Sequence, residues 1–154
     1  MVSGRVRRRR GAPITTGNQG IASPKMFLIR RRLLNDKARL GRWSERRCER
    51  FLQNKGLRTL IRNYVCKLGE LDLVMVDPEG TLVFVEVRSR ADETFGPVEA
   101  TVNPAKQERV GRAARHFIAA HRIEDRPLRF DVIALVLGHR GPPRIRHYEN
   151  AFVP

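Results

Sequence analysis

The stretch GELDLVMVDPEGTLVFVEVRSR, residues 69–90, contains two apolar segments joined by a short polar one. Residues 69–76 and 81–90 are both predicted as strands, and the second has apolar residues on both of its faces, as in a central buried strand. The connection DPEG, residues 77–80, has the Pro and Gly that are typical of a turn. We therefore expect a hairpin at the centre of a sheet.

Upstream of this hairpin the pattern predicts a helix followed by one more strand. Residues 41–55 place Cys48, Phe51 and Leu52 on one helical face, and Gly56 ends the helix. Residues 57–63 are then predicted as a strand. The first three strands are expected to form a meander.

Downstream, a polar loop over residues 91–102 leads to a second helix that starts at Asn103 and Pro104, residues suited to the N-cap and the first helical position. Two further strands are predicted, a strong one over 128–137 and a weaker, edge-like one over 144–152. The order helix, three strands, helix, two strands predicts an α/β fold with a mixed sheet. The crossover through the second helix should return a strand parallel to one of the first three.

Charge divides the chain into two parts. The 154 residues contain 31 Lys and Arg against 16 Asp and Glu, a net charge of +15 that favours a polyanionic partner, although a compositional bias of the source genome would also explain the preference for Arg. Most of the excess precedes residue 41, so we predict a basic, disordered arm over residues 1–38 and a domain over 39–154. An alternative is that Met26 is the native start.

Several classes of protein are excluded on sequence grounds. No apolar run approaches the roughly 20 residues of a membrane span or the core of a signal peptide, so a cytoplasmic protein without membrane contact is expected. Cys48 and Cys66 are too far apart for a CxxC motif and are expected to be reduced. The four histidines have no metal-binding spacing.

Two acids need explanation because they lie within apolar strands. Asp72 is flanked by Leu71 and Leu73, and Glu86 by two valines. A carboxylate in such a place is costly unless a cation or hydrogen bonds compensate it. A divalent metal is one such compensation, since Mg²⁺ prefers oxygen ligands. The alternative is that Glu86 pairs with Arg88 and that Asp72 pairs with another arginine.

The register of the hairpin decides whether the two acids lie on the same face of the sheet. A four-residue connection would pair Val76 with Thr81 and separate Asp72 from Glu86. A metal site therefore predicts a five-residue connection that pairs Val76 with Leu82, or a β-bulge between the strands.

Two further charged residues lie close to predicted core positions. Lys106 falls on the apolar stripe of the second helix, so its ammonium either covers apolar surface or points toward the carboxylates, where it could orient water or stabilise charge on a phosphate. Asp131 also lies in an apolar strand. We interpret it as structural, paired with an arginine or capping a loop.

Together these residues resemble the YraN-like family of small bacterial proteins, over about residues 41–153. The resemblance rests on the residues quoted at the outset, with Glu45 upstream and Lys106, RFDVIAL and ENAF downstream. The family is similar to the restriction-endonuclease-like superfamily and, in outline, to archaeal-type Holliday junction resolvases. This resemblance implies a mixed sheet flanked by helices and a metal, Mg²⁺ or Mn²⁺, on Asp72 and Glu86. It also implies that Glu45 completes the site, directly or through water.

The resemblance has one departure, at Arg88. The superfamily pattern Glu-x-Lys has Arg at its last position here, and Arg can bind phosphate but cannot act as a general base. Lys106 is the candidate replacement. The expected function is that of a metal-dependent, nuclease-like protein acting on DNA, with Arg88, Lys106 and Glu45 as catalytic residues. The alternative is a nucleic-acid-binding or scaffold protein that keeps the nuclease fold without the reaction. A homodimer is left open, since related resolvases are dimers.

Overall fold

Five strands form one mixed sheet, and helices cover both of its faces. A computed structural model describes residues 24–92, 102–138 and 141–154, with side chains from residue 28 onward. The helices are α1 (Pro24–Leu34), α2 (Lys37–Asn54) and α3 (Pro104–Ala120). The strands are β1 (Arg58–Cys66), β2 (Gly69–Val76), β3 (Leu82–Arg90), β4 (Leu128–Val136) and β5 (Arg144–Tyr148).

The topology confirms the predicted fold class. The strands lie in the order β1-β2-β3-β4-β5, with β1, β2 and β3 in an antiparallel meander. Strand β4 returns parallel to β3 after the crossover through α3, and β5 pairs antiparallel with β4. This is the restriction-endonuclease-like mixed sheet that the resemblance implied.

The central hairpin has the register that brings the two strand acids level with each other. Val76 pairs with Leu82 across a five-residue connection, as one of the two alternatives required. The Asp77 carboxylate accepts the Thr81 N–H at 2.8 Å, and Gly80 adopts φ +90°, a left-handed conformation that glycine allows without a Cβ clash. The turn is thus fixed by its own residues.

Each face of the sheet has its own apolar core. Cys48 and Leu52 of α2 pack against Met75, Val83 and Ile133 on one face. The other face is covered by α3, whose buried residues contact a second set from the sheet. That set includes Val74, Val76, Leu82, Phe84 and Val132. Burial of these side chains on both faces explains why β2, β3 and β4 are nearly continuous apolar runs.

The predicted disordered arm is too long. Residues 24–34 form α1, and the buried guanidinium of Arg30 donates hydrogen bonds to the carbonyl oxygens of Leu137 at 3.0 Å and Gly141 at 2.8 Å. Leu33 is also buried. The folded part therefore begins no later than Pro24, whereas residues 1–23 of the predicted arm lie outside the described residues. None of the described helices has the length and apolarity that a membrane span requires.

Some boundaries differ from those predicted. Helix α2 begins at Lys37 rather than residue 41, because Asp36 caps it by accepting the Arg39 N–H at 2.9 Å. Strand β1 continues past Asn63 to Cys66, whereas β5 ends at Tyr148. Cys48 and Cys66 are free thiols, as expected.

Candidate functional site

Strands β2 and β3 stop pairing at Asp72. The ladder runs from Val76–Leu82 to Leu73–Val85, and at the next position the Asp72 carboxylate accepts the Val87 N–H at 2.7 Å. Leu71 packs with the α3 core and Leu73 with the α2 core, so the alternation of faces is interrupted at Asp72. The carboxylate thus replaces a backbone acceptor where the strands part.

Glu86 lies opposite Asp72 and is the most deeply buried acid of this group, with a side chain only 2% exposed. Its Oε1 atom is 3.2 Å from the Lys106 ammonium and 3.2 Å from the Arg88 guanidinium. The other oxygen, Oε2, is buried and has no hydrogen-bond partner among the residues that the structure describes. Native structures contain few buried polar atoms without a hydrogen-bond partner, so we expect a ligand at this oxygen.

The electrostatics reflect two close carboxylates. The pKa of Glu86 is raised to about 7, chiefly by burial and next by the negative charge of Asp72, while Lys106 and Arg88 partly offset both effects. Burial also raises the pKa of Asp72, although the Val87 N–H opposes the change. Such raised values are found where carboxylates are poised for proton transfer or for a cationic ligand.

Lys106 points into the sheet, as its place on the apolar stripe predicted. Its side chain is 15% exposed, and besides Glu86 it lies 3.6 Å from the carboxylate of Glu70, an exposed residue on β2. The first turn of α3 is fixed by Asn103, which accepts the Lys106 N–H at 3.0 Å. The N-cap thereby sets the direction in which this lysine enters the site.

Arg88 pairs with Glu86, as the ion-pair alternative required, and it has further N–H donors that this pair does not use. Its side chain is 27% exposed, yet its Nε atom is buried and has no hydrogen-bond partner within the described part of the chain. A guanidinium offers up to five N–H donors. Arg88 can therefore hold Glu86 and still donate to an anion that enters the site.

Glu45 approaches the same carboxylates from α2. Burial raises its pKa first and the negative charge of Asp72 second, whereas a hydrogen bond from the Asn63 side chain lowers it. Asn63 was missed by sequence reasoning, which ended β1 at this residue. It adopts φ +50°, a conformation that asparagine tolerates better than most residues, and this preference was the available signal.

The donor set is compatible with a hard divalent cation. Among residues 28–92, 102–138 and 141–154, no group of three or more metal-ligating side chains is assembled closely enough to hold an ion unaided. The carboxylates of Asp72 and Glu86 nevertheless supply oxygen donors, and the unpartnered Glu86 oxygen is available. Mg²⁺ commonly takes one or two carboxylates and completes its shell with water and phosphate. The assignment of Asp72, Glu86 and Glu45 as metal ligands stays a prediction.

Asp131 belongs to a separate cluster, as predicted. Its Oδ1 atom accepts from Arg129 Nε at 3.0 Å and from the Asn150 N–H at 2.9 Å, and its Oδ2 atom lies 2.8 Å from His147 Nε2. Burial alone would raise the pKa of Asp131, but these hydrogen bonds hold it below its usual value. This acid pairs with an arginine and caps the turn after β5, which are the two structural roles considered for it.

The fold and the site define a small α/β protein with a restriction-endonuclease-like sheet and two facing carboxylates at its centre. The uncharacterised protein family UPF0102 matches residues 44–135, and the chain belongs to this family. The match confirms the resemblance to YraN-like proteins.

Bacterial relatives support this membership. A UPF0102 protein of Cupriavidus taiwanensis is 48% identical over 113 residues, which cover 73% of this chain and 81% of the relative. One from Ralstonia nicotianae is 52% identical over 64% of this chain and 78% of its own length. One from Alcanivorax borkumensis is 40% identical over 78% of this chain and 96% of its own length. None of these names states an activity, a metal or a substrate.

Proposed function

We propose that this protein is a cytoplasmic, metal-dependent nuclease that hydrolyses phosphodiester bonds in DNA, with branched or single-stranded DNA as the favoured substrates. The observation that carries the proposal is the Glu86 carboxylate, which is buried beside Asp72 with one oxygen unpartnered. The two carboxylates can bind a cation, and the neighbouring lysine and arginine can bind a phosphate.

Each residue has a role in this proposal. Asp72 and Glu86 would hold Mg²⁺ or Mn²⁺, with Glu45 binding directly or through water. When bound, the ion would polarise the phosphate and lower the pKa of a coordinated water. Arg88 would donate its unused N–H groups to a phosphate oxygen. Lys106 would orient the attacking water or stabilise the charge that develops on the phosphate.

A second function is favoured by the ion pairs of Glu86. Lys106 and Arg88 both lie 3.2 Å from its Oε1 atom, so its charge is compensated by the protein itself. Arg88 also stands where the superfamily pattern has a lysine, and it cannot act as a base. A non-catalytic protein that binds nucleic acid on the same fold would retain these pairs.

A cleavage assay separates the two functions. The full chain is incubated with duplex, single-stranded, flap and four-way-junction DNA, with Mg²⁺, with Mn²⁺ and with EDTA. The nuclease proposal expects cleavage that needs the metal and that is lost in Asp72→Asn and in Lys106→Ala. Glu108→Gln is the matched control, because this α3 carboxylate is exposed and pairs with Arg112 on its own helix. Its cleavage should equal that of the unaltered chain.

Metal binding is measured independently of turnover. Titration calorimetry with Mn²⁺ should show a site that Asp72→Asn abolishes and that Glu108→Gln preserves. Binding of DNA without cleavage of any substrate in the panel would support the non-catalytic function. Cleavage that persists in Asp72→Asn would contradict the proposed site.

A further inference from the structure

The outer face of α2 carries a cluster of positive charge that the carboxylate site does not use. Together with the end of α1 it forms a groove of about 420 Å³, lined by six arginines and by the only tryptophan of the chain, Trp43. The arginines of this groove are Arg32, Arg39, Arg42, Arg46, Arg47 and Arg50. We call this surface the arginine groove.

Helix α2 sorts its charges by face. Its two acids, Glu45 and Glu49, lie on the inner side, where Glu45 borders the carboxylate site and Glu49 is buried against Thr59 and Arg62. The exposed residues of α2 include five arginines and one lysine. Of the groove arginines, Arg39 forms a long 3.7 Å pair with Asp36, and the other five have no ion pair with a carboxylate in the described part of the chain.

This arrangement costs stability in the free protein. Arg42 and Arg46, and likewise Arg46 and Arg50, are four positions apart on the helix, where like charges repel by a few tenths of a kcal/mol per pair. Protein surfaces commonly intersperse charges of both signs, whereas the exposed residues of α2 include no acid. Concentration of the charges on one face, away from the buried acids, indicates an anionic partner.

Trp43 indicates which class of anionic partner fits the groove. Its ring is partly exposed between the arginines, and the Arg47 guanidinium lies 5.5 Å from its centroid. Aromatic rings within a basic groove stack with unpaired bases, whereas a duplex keeps its bases stacked internally and offers only phosphates. A single strand can use both the arginines and the ring.

The groove and the carboxylate site share helix α2. Arg42 lines the groove and precedes Glu45 by three residues on this helix. We propose that the arginine groove binds single-stranded DNA. The binding goes beyond the proposed nuclease activity, and it stands or falls separately from cleavage.

The test measures binding by the full chain in EDTA, so that cleavage plays no part. The probe is a labelled oligothymidylate of about 20 nucleotides, longer than common single-strand sites. The groove variant is Arg46→Gln with Arg47→Gln and Arg50→Gln. Its matched control is Arg115→Gln with Arg122→Gln and Arg126→Gln, which removes the same charge from exposed positions on and after α3.

The proposal expects the groove variant to bind about tenfold more weakly and its salt dependence to flatten. Log K falls as log salt rises, and each lost phosphate contact reduces the steepness of this fall by about 0.7 for a single strand, or by about 2 for three contacts. The control triple should retain the affinity and slope of the unaltered chain. Circular dichroism should show both variants folded, because only exposed arginines are replaced.

Trp43 supplies a second readout at the groove itself. Its fluorescence, the only tryptophan signal of this chain, should be quenched on addition of the oligothymidylate. Equal loss of binding in the two triple variants, or binding without quenching, would overturn the proposal. So would an equally tight duplex complex, or a Trp43 response to phosphatidylglycerol vesicles and not to the oligonucleotide.

Discussion

Asp131 and Glu86 are buried carboxylates on the adjacent parallel strands β4 and β3, and each pairs with an arginine, but they differ in how fully their oxygens are hydrogen-bonded. Asp131 accepts hydrogen bonds at both oxygens, from Arg129, His147 and the Asn150 N–H. Glu86 has one oxygen held by two cations, and its other oxygen has no partner in the described ranges. The pKa of Asp131 is lowered, and that of Glu86 is raised to about 7.

The difference shows which acid stabilises the fold and which is held at a cost. A fully satisfied buried carboxylate links the elements that donate to it, here β4 and the turn after β5. An incompletely satisfied one is retained against its desolvation penalty, which points to a role outside the folded state's own stability. Experiments on the two residues can therefore test this division directly.

The largest expected effect comes from Asp131→Asn. His147 Nδ1 accepts from the Lys55 ammonium at 2.9 Å, so the ring's proton is on Nε2 and points at Asp131. An amide at this position turns an N–H toward His147 Nε2 or toward the other donors, and Arg129 loses one of its two carboxylate partners, keeping Asp77 at 3.0 Å. We expect a loss of about 3 kcal/mol in the free energy of unfolding. Urea denaturation at pH 7 measures it.

The opposite sign is expected for Glu86→Gln. The amide oxygen can still accept from Lys106 and Arg88, and the new N–H group can donate toward Asp72, while a buried charge is removed. The free energy of unfolding at pH 7 should therefore rise by about 1 kcal/mol. A loss comparable to that of Asp131→Asn would make Glu86 a structural acid and abolish the contrast between the two.

The sequence predicts those features of the carboxylate site that have local causes. Lys106 was placed toward the sheet by helical periodicity, and its position is confirmed. The two permitted registers of the hairpin also followed from alternation. The choice between them did not, because it depends on the Asp77–Thr81 hydrogen bonds of the turn.

Features with distant causes were missed. Helix α1 lacks a clear apolar period, and its buried Arg30 is held by carbonyl oxygens more than 100 residues away. The contact of Asn63 with Glu45 depends on a positive φ inside β1, which strand alternation does not report. Both cases are tertiary effects that override local pattern.

The pH dependence of stability should separate the two acids by direction. Glu86 has a folded pKa of about 7 against 4.5 for the unperturbed group, so its penalty is absent below pH 4.5 and complete above pH 7. The advantage of Glu86→Gln should grow from near zero to its full value across this range.

Asp131 behaves in the opposite way, because its folded pKa lies below the ordinary 3.8. Its contribution is complete above pH 3.8 and is lost as the pH falls through the folded value. The deficit of Asp131→Asn should thus be constant between pH 4.5 and 7 and shrink only in stronger acid. Urea denaturation of the three proteins at four pH values checks both curves, and a Glu86→Gln advantage independent of pH would contradict the assignment.

The smallest effect is expected at Glu149, which lies at the exposed edge of the Asp131 cluster. Glu149 contacts the Lys55 ammonium at 2.8 Å, but the two side chains are 52% and 40% exposed, so water competes for both charges. Glu149→Gln should cost at most about 0.5 kcal/mol, and added salt should reduce even this. A double-mutant cycle with Lys55→Gln isolates the pair. A coupling above about 1 kcal/mol would mean that the satisfied network extends to the surface, and Asp131 would then owe part of its stabilisation to Glu149.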